Sequence, residues 1–105
     1  MKKILILSPG HQVYLVDLFK KYFEVYIGDR NNWVLATYKN IISIKMPSYS
    51  SAEYIETLIS FIDNQKIDYV LTLSDVEVVI LSKNKDIIES IGCTLIGLPR
   101  SEERR

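Results

Sequence analysis

Apolar residues in this chain occur in short uninterrupted runs, separated by stretches in which they recur every three or four positions. Consecutive apolar residues, as opposed to alternating ones, are typical of strands covered on both faces, as in a parallel sheet between helices. Five such runs predict five strands, at residues 4–7, 24–27, 41–44, 69–73 and 93–97.

The stretches between the runs show helical spacing. After the turn signals Pro9 and Gly10, a helix from Val13 is expected to pack through an apolar stripe of Leu15, Leu18, Phe19 and Tyr22. The segment 30–40 predicts one or two helical turns.

Two further helical regions have terminal signals. Ser50 as N-cap and Glu53 three positions later predict a capping box at the start of the next helix. Residues 76–91 predict two short helices or one kinked helix, with Asn84 as an N-cap and Gly92 in the left-handed position after the last turn.

Alternating strands and helices predict an α/β fold: a three-layer, Rossmann-like open parallel sheet with helices on both faces. The expected strand order is 3-2-1-4-5. One domain over residues 1–99 is predicted, and residues 100–105 form a charged tail or the start of a linker to an ATP-binding domain.

Composition excludes several classes of function. Thirteen basic and thirteen acidic residues cancel, so no overall field favours nucleic acid or an anionic membrane. The single cysteine, Cys93, rules out an internal disulfide and a cysteine-based metal site, and is expected in the core. The apolar run at the N-terminus is four residues long, too short for a signal peptide or a membrane span, and a cytoplasmic domain is expected.

Candidate binding residues follow three of the predicted strands. Gly10 and His11 precede a helix whose first amides suit an anion, although a plain turn with a solvated His11 explains them equally. Asp29 stands where dinucleotide folds place a ribose-binding acid, but the G-x-G-x-x-G fingerprint is missing, and a surface turn is the alternative.

The fourth strand runs into the cluster Ser74, Asp75 and Glu77. Ser74 and Glu77 have the spacing of a second capping box, which would account for both. Asp75 is not needed for that cap, and a carboxylate at a strand end suits a substrate ammonium group.

The order and spacing of these pieces resemble the N-terminal, pre-ATP-grasp domain of ATP-grasp ligases, in particular the carbamoyl-phosphate-synthase-like group. The resemblance covers nearly the whole chain. It rests on the opening strand with its Ser8-Pro9-Gly10 turn, the second strand ending on Gly28-Asp29, Met46-Pro47 before Tyr54, the segment from Lys66 to Glu77, and Ile91-Gly92 before the last strand.

The resemblance implies the substrate-side domain of an ATP-dependent carboxylate–amine ligase. In that family an acyl phosphate is formed and then attacked by an amine or ammonia. Carried over by position, Gly10, His11, Asp29, Ser74, Asp75 and Glu77 are the expected substrate-binding residues, with no catalytic and no metal-binding residue in this chain.

The resemblance also implies partners and cofactors. ATP and Mg²⁺ are expected only for the full-length enzyme, so the isolated chain is predicted to be inactive. Expected partners are an ATP-grasp domain, in cis or as a separate chain, and a small carboxylate or amine substrate; a homodimer is a further candidate. The alternative is a free-standing α/β module that binds a small ligand or a protein without catalysis.

Overall fold

Five parallel strands form one open sheet in the computed structural model, which describes residues 1–96. The strands are β1 (Lys3–Leu7), β2 (Glu24–Asp29), β3 (Ser43–Lys45), β4 (Tyr69–Thr72) and β5 (Thr94–Ile96). Hydrogen bonds join them in the order β3-β2-β1-β4-β5, which confirms the predicted fold class and strand order.

Helices cover both faces of the sheet. They are α1 (Val13–Lys20), α2 (Asn32–Thr37), α3 (Glu53–Gln65), α4 (Asp75–Lys83) and α5 (Lys85–Ser90). Side chains of β1 alternate between two cores, because successive residues of a strand point to opposite faces. Ile4 and Ile6 join the core under α1 and α2, whereas Leu5 and Leu7 join the core under α3, α4 and α5.

The central strand β1 marks the point where the strand order reverses. It pairs with β2 on one side and with β4 on the other, and Ile4 to Leu7 are completely buried. We call the edge where the five strands end the carboxyl edge. In open α/β sheets ligands bind at this edge beside the reversal point, here between β1 and β4.

Close packing of β1 against β2 depends on a glycine. A Cβ atom on Gly28 would lie 2.7 Å from Cδ2 of Leu7 and 3.3 Å from Cγ2 of Ile44. Both distances are shorter than normal contacts, and Leu7 is too tightly enclosed to move aside easily. A residue with a Cβ at position 28 would therefore disturb this packing. Strand β2 includes Gly28 and extends past the predicted end to Asp29.

Helix α1 does not pack as its sequence pattern predicts. Val16 is its fully buried residue, while Leu18 is 39% exposed and Tyr22, past the end of the helix, is also exposed. Leu18 follows Val16 by two positions, which is about 200° around the helix axis, so both cannot face the sheet. The predicted stripe was wrong for Leu18 and Tyr22, and half right for Leu15 and Phe19, which are partly buried.

The predicted cap of Ser50 was also wrong, whereas Asn84 does occupy the predicted N-cap position. Helix α3 begins at Glu53 with Ala52 as its N-cap, because the serines ahead of it bond within a local turn: the Ser51 N–H donates to the Ser48 carbonyl at 3.0 Å. Asn84 is the N-cap residue of α5, as predicted, but its side chain makes no capping bond and donates instead to the Ile80 carbonyl at 2.8 Å.

Other predicted features are confirmed. Two short helices, α4 and α5, occupy the region in which a kink or a break was expected. Gly92 has φ +91° and follows α5 in the left-handed region. Cys93 is buried just before β5. The pKa of its thiol is raised to about 12, mainly by this burial.

Within residues 1–96 no helix combines the length and the apolar character that crossing a bilayer requires. The predicted strand end at Gly97, the boundary at Pro99 and the charged tail 100–105 lie outside the described residues.

Candidate functional site

The most enclosed polar group at the carboxyl edge is the carboxylate of Glu77, which is 1% exposed. Its Oε1 accepts hydrogen bonds from Oγ of Ser8 at 2.5 Å and Oγ1 of Thr72 at 2.8 Å. Its Oε2 accepts a hydrogen bond from the hydroxyl of Tyr54. We call these four residues the hydroxyl cluster. It joins the ends of β1 and β4 to helices α3 and α4.

The hydroxyl cluster compensates a charge that burial would otherwise make costly. Three hydroxyl donors and the positive N-terminal end of α4 surround the Glu77 carboxylate. The pKa of the Tyr54 phenol is raised above its ordinary value by burial, then by its hydrogen bond to Glu77 and the charge of that residue. Tyr54 therefore remains a protonated donor, and both Glu77 oxygens are engaged by the protein.

Ser8 reaches Glu77 from an unusual backbone conformation. Its φ is +56°, in the left-handed region that residues with a Cβ rarely adopt, and Gly10 two residues later has φ +54°. The Ser8 N–H donates to the Gly28 carbonyl at 2.8 Å, and its side chain also lies 3.5 Å from the Tyr49 hydroxyl. The Arg30 guanidinium lies over the Tyr49 ring, 5.3 Å from its centroid.

The loop between β1 and α1 is not built as a phosphate cradle. Pro9 has no N–H, the Gln12 N–H donates to the Pro9 carbonyl at 2.9 Å, and the Val13 N–H donates to the His11 carbonyl at 2.8 Å. Amides that are engaged within the loop do not point at an anion. The amides of Gln12 and Val13 are therefore not available to the phosphates of a nucleotide. No group of three or more potential metal ligands occurs among residues 1–96 either.

His11 and Trp33 form an exposed aromatic pair beside this loop. Their ring centroids are 4.6 Å apart with the planes tilted by 31°, and Trp33 is 49% exposed. The Tyr38 hydroxyl donates to the Gly10 carbonyl at 3.1 Å, which ties the loop to the end of α2. Gly10 is thus a fixed turn, and His11 is exposed to solvent while stacked on Trp33.

Asp29 ends β2 on the same side of the carboxyl edge and is 4% exposed. Its Oδ1 accepts a hydrogen bond from the Asn31 N–H at 2.9 Å. The pKa of Tyr38 is raised by burial and then by the negative charges of Asp17 and Asp29, so the Asp29 carboxylate acts electrostatically on that phenol.

Ser74 and Glu77 do not form the capping box that their spacing suggested. Ser74 is the N-cap residue of α4, but its side chain makes no capping hydrogen bond, and its N–H donates to Oγ1 of Thr72 at 3.1 Å. Glu77 turns inward to Ser8 instead. Asp75, the first residue of α4, is exposed at the carboxyl edge.

The six expected substrate-binding residues therefore lie at one edge of the sheet, in a strand end, a loop and the start of a helix, but in two groups. Gly10, His11 and Asp29 belong to the side of α1 and α2, whereas Ser74, Asp75 and Glu77 begin α4 on the other side. Sequence reasoning missed Ser8, Thr72 and Tyr54 as partners of Glu77, and Trp33 as the partner of His11. The signal available in the sequence was that Ser8 and Thr72, two hydroxyl residues, stand at the ends of two strands predicted to be adjacent.

The fold and this edge define an open α/β domain of the doubly wound class, whose polar loops meet beside the reversal point of the sheet. The model of the family described as "PylC-like, N-terminal domain" matches residues 4–96, and the chain belongs to this family, a pre-ATP-grasp domain of ATP-grasp ligases. No curated protein sequence matches the chain.

Proposed function

We propose that this chain is the substrate-side N-terminal domain of an ATP-dependent carboxylate–amine ligase of the carbamoyl-phosphate-synthase-like type, and that it has no ligase activity alone. The observation that carries the proposal is the family match over residues 4–96, which spans all five strands. In this role the chain presents one wall of a substrate crevice, and a neighbouring ATP-grasp region supplies ATP, Mg²⁺ and the chemistry of acyl phosphate formation.

The build of the carboxyl edge supports this division of labour. The loop after β1 turns two of its amides inward and holds no phosphate cradle. The same edge offers the polar side chains of Asp29, Ser74 and Asp75 to a small substrate. A domain that orients a substrate needs such groups on rigid elements, and it needs no nucleotide contacts of its own.

An ATP-grasp region must act together with the chain, in the same polypeptide or as a separate protein. Apolar residues exposed on α1 and α4 support a docking role, since surface apolar groups mark interaction sites when they form patches. Tyr14 and Leu18 lie four positions apart on the outer face of α1, and Val76 and Val79 lie three apart on α4.

Two measurements test the proposal. Isothermal titration of the isolated chain with Mg–ATP is expected to show no tight binding. Addition of the ATP-grasp region encoded in the same reading frame or beside it is expected to produce ADP release that depends on this chain, a carboxylate and an amine.

Tight stoichiometric binding of Mg–ATP by the isolated chain would contradict the proposal. So would a gene locus without any ATP-grasp region, and this result would favour the alternative of a free-standing binding module. Dependence of ADP release on this chain is the decisive positive result, because a binding module without a catalytic partner does not affect ATP turnover.

A further inference from the structure

At the carboxyl edge the chain leaves β1 and β4 towards opposite faces of the sheet. After β1 it enters α1, on the face of Ile4 and Ile6, whereas after β4 it enters α4, on the face of Leu5 and Leu7. Such divergence opens the crevice in which doubly wound sheets bind ligands. The ladder between β1 and β4 ends with the Leu73 N–H donating to the Leu7 carbonyl at 3.1 Å. Beyond that bond, another contact has to set the distance between the two loops.

A short hydrogen bond crosses this crevice. The hydroxyl of Ser8, the first residue after β1, donates at 2.5 Å to Oε1 of Glu77 in the first turn of α4. The contact of Ser8 with the Tyr49 hydroxyl, at 3.5 Å, is much weaker. Oε1 of Glu77 also accepts the Thr72 hydroxyl, and Oε2 accepts the Tyr54 hydroxyl. Both oxygens are used inside the protein and the residue is 1% exposed, so Glu77 acts on other side chains and does not itself face a ligand.

The turn behind Ser8 is built to pass its position on to the rest of the loop. Pro9 is buried and its ring fixes the backbone φ angle. Gly10 has φ +54°, and its carbonyl accepts a hydroxyl from the end of α2 at 3.1 Å. The next ring, that of His11, stacks on Trp33 with the centroids 4.6 Å apart. A displacement of Ser8 is therefore expected to reach His11 and the indole.

We propose that Glu77 is a positioning residue, which through its bond to Ser8 holds the loop between β1 and α1 at a fixed distance from the start of α4. The link sets the relative position of the two groups of candidate substrate-binding residues, one on each side of the crevice. Its value to a substrate rests on the proposed function, which it deepens by naming the contact that fixes the two sides. The link itself is a property of the isolated chain.

The hydroxyl cluster allows positioning to be separated from stability. Ser8 and Thr72 donate to the same oxygen of Glu77, so the loss of either hydroxyl removes one donor from a buried carboxylate. The two losses are expected to cost comparable stability. Thr72, however, belongs to β4 and is held by the ladder on the same side of the crevice as α4. Only the bond from Ser8 joins the loop after β1 to that side.

The test records NMR spectra of the isolated chain and follows three signals: the backbone amides of Gly10 and His11 and the indole N–H of Trp33, the one tryptophan of the chain. We call them the loop resonances. Glu77→Gln removes the charge and keeps the size of the side chain. Hydrogen bonds to a charged group are about twice as strong as neutral ones, so the bond to Ser8 weakens. The loop resonances are expected to shift, although Glu77 is distant from all three residues in the sequence.

Thr72→Val is the matched control and is expected to leave the loop resonances in place. It is a stringent control, because it also removes the acceptor of the Ser74 N–H at the start of α4. Ser8→Ala shifts its neighbours directly, so the informative comparison is the double variant Ser8→Ala/Glu77→Gln. Its loop resonances are expected to match those of Ser8→Ala alone, since the path through Ser8 is already broken. Glu77→Asp retracts the carboxylate by one methylene group, is expected to shift the loop resonances too, and serves if Glu77→Gln does not fold.

The proposal is overturned if the Glu77 variants leave the loop resonances at their wild-type positions. Equal shifts in Glu77→Gln and Thr72→Val would also overturn it, because they would indicate a general loosening of the hydroxyl cluster. So would an effect of Glu77→Gln that persists in the Ser8→Ala background. All of these outcomes concern the isolated chain, and the requirement for an ATP-grasp region is tested separately by ADP release. Failure of one is therefore distinguishable from failure of the other.

Discussion

At the scale of single residues, Ser8 combines a strained backbone with a hydrogen bond to a buried carboxylate. The left-handed conformation at φ +56° costs about 1 kcal/mol for a residue with a Cβ. The bond from Ser8 to Glu77 offsets that cost, because hydrogen bonds to charged groups contribute about 1.5–3 kcal/mol. The two effects act on the same residue and are separable by mutation.

Ser8→Gly is predicted to be more stable than Ser8→Ala by about 1 kcal/mol in urea-induced unfolding. Both variants lose the hydroxyl, but only glycine relieves the left-handed strain. An ordinary strand position shows the reverse order, with glycine less stable than alanine by about 0.5–1 kcal/mol. Finding that ordinary order at position 8 would mean that the backbone there is not strained in solution.

The sequence indicated which residues lie at the carboxyl edge but not what they contact. Asp29, Ser74 and Glu77 were recognisable because polar residues follow buried runs. The hydroxyl cluster was not predictable, since the partners Ser8 and Glu77 are separated by 69 positions and a local motif explained Glu77 equally well. The local spacing of Ser74 and Glu77 predicted a capping box, but Glu77 bonds to Ser8 from another strand end instead.

At the scale of elements, the start of α4 depends on the packing of Glu77 and not on a serine cap. Ser74 has the extended backbone of an N-cap residue, φ −113° and ψ +128°, but its side chain makes no bond to the helix. The helix is oriented instead by Glu77, which joins it to β1, β4 and α3.

Ser74→Ala is predicted to change the free energy of unfolding by less than about 0.5 kcal/mol, whereas the loss of a working N-cap costs about 1 kcal/mol. Glu77→Gln is predicted to cost about 1–3 kcal/mol, because an amide NH₂ would face hydroxyl donors inside the protein. Both are measured by chemical denaturation. Asp75→Asn, exposed in the same helical turn, is the control and should resemble wild type.

The reverse ranking, with Ser74→Ala costly and Glu77→Gln neutral, would restore the capping box as the correct interpretation.

Element types were nevertheless well predicted: all five strands and both halves of the α4–α5 region occur where apolar runs and periodicity placed them. The errors concern ends and faces. In α1 the apolar residues outnumber the positions that touch the sheet, so periodicity alone could not identify Val16 as the buried one.

At the scale of the whole molecule, apolar surface is left uncovered on helix α1. Tyr14 is 82% exposed and lies four positions before Leu18, so the two side chains share the outward face of the helix. A chain with no net charge has little electrostatic repulsion to oppose association through such a face.

The isolated chain is predicted to self-associate at high concentration, as sedimentation velocity can measure. The double variant Tyr14→Ser/Leu18→Ser is expected to sediment as a monomer, with the free energy of unfolding lowered by about 1–2 kcal/mol, because Tyr14 is 82% exposed but Leu18 only 39%. Val76→Ser/Val79→Ser, on the opposite side of the sheet, is the matched control and is expected to associate as wild type. A wild-type chain that remains monomeric throughout would contradict the prediction.

The bond between Ser8 and Glu77 also has a consequence for synthesis on the ribosome. Its two halves emerge 69 positions apart, so β1 and its turn exist long before the carboxylate that holds them. Until α4 has been translated, the turn lacks its anchor and favours relaxed conformations. The carboxyl edge is therefore completed only after α4 has been translated, and nascent chains halted before Glu77 are expected to lack its final geometry.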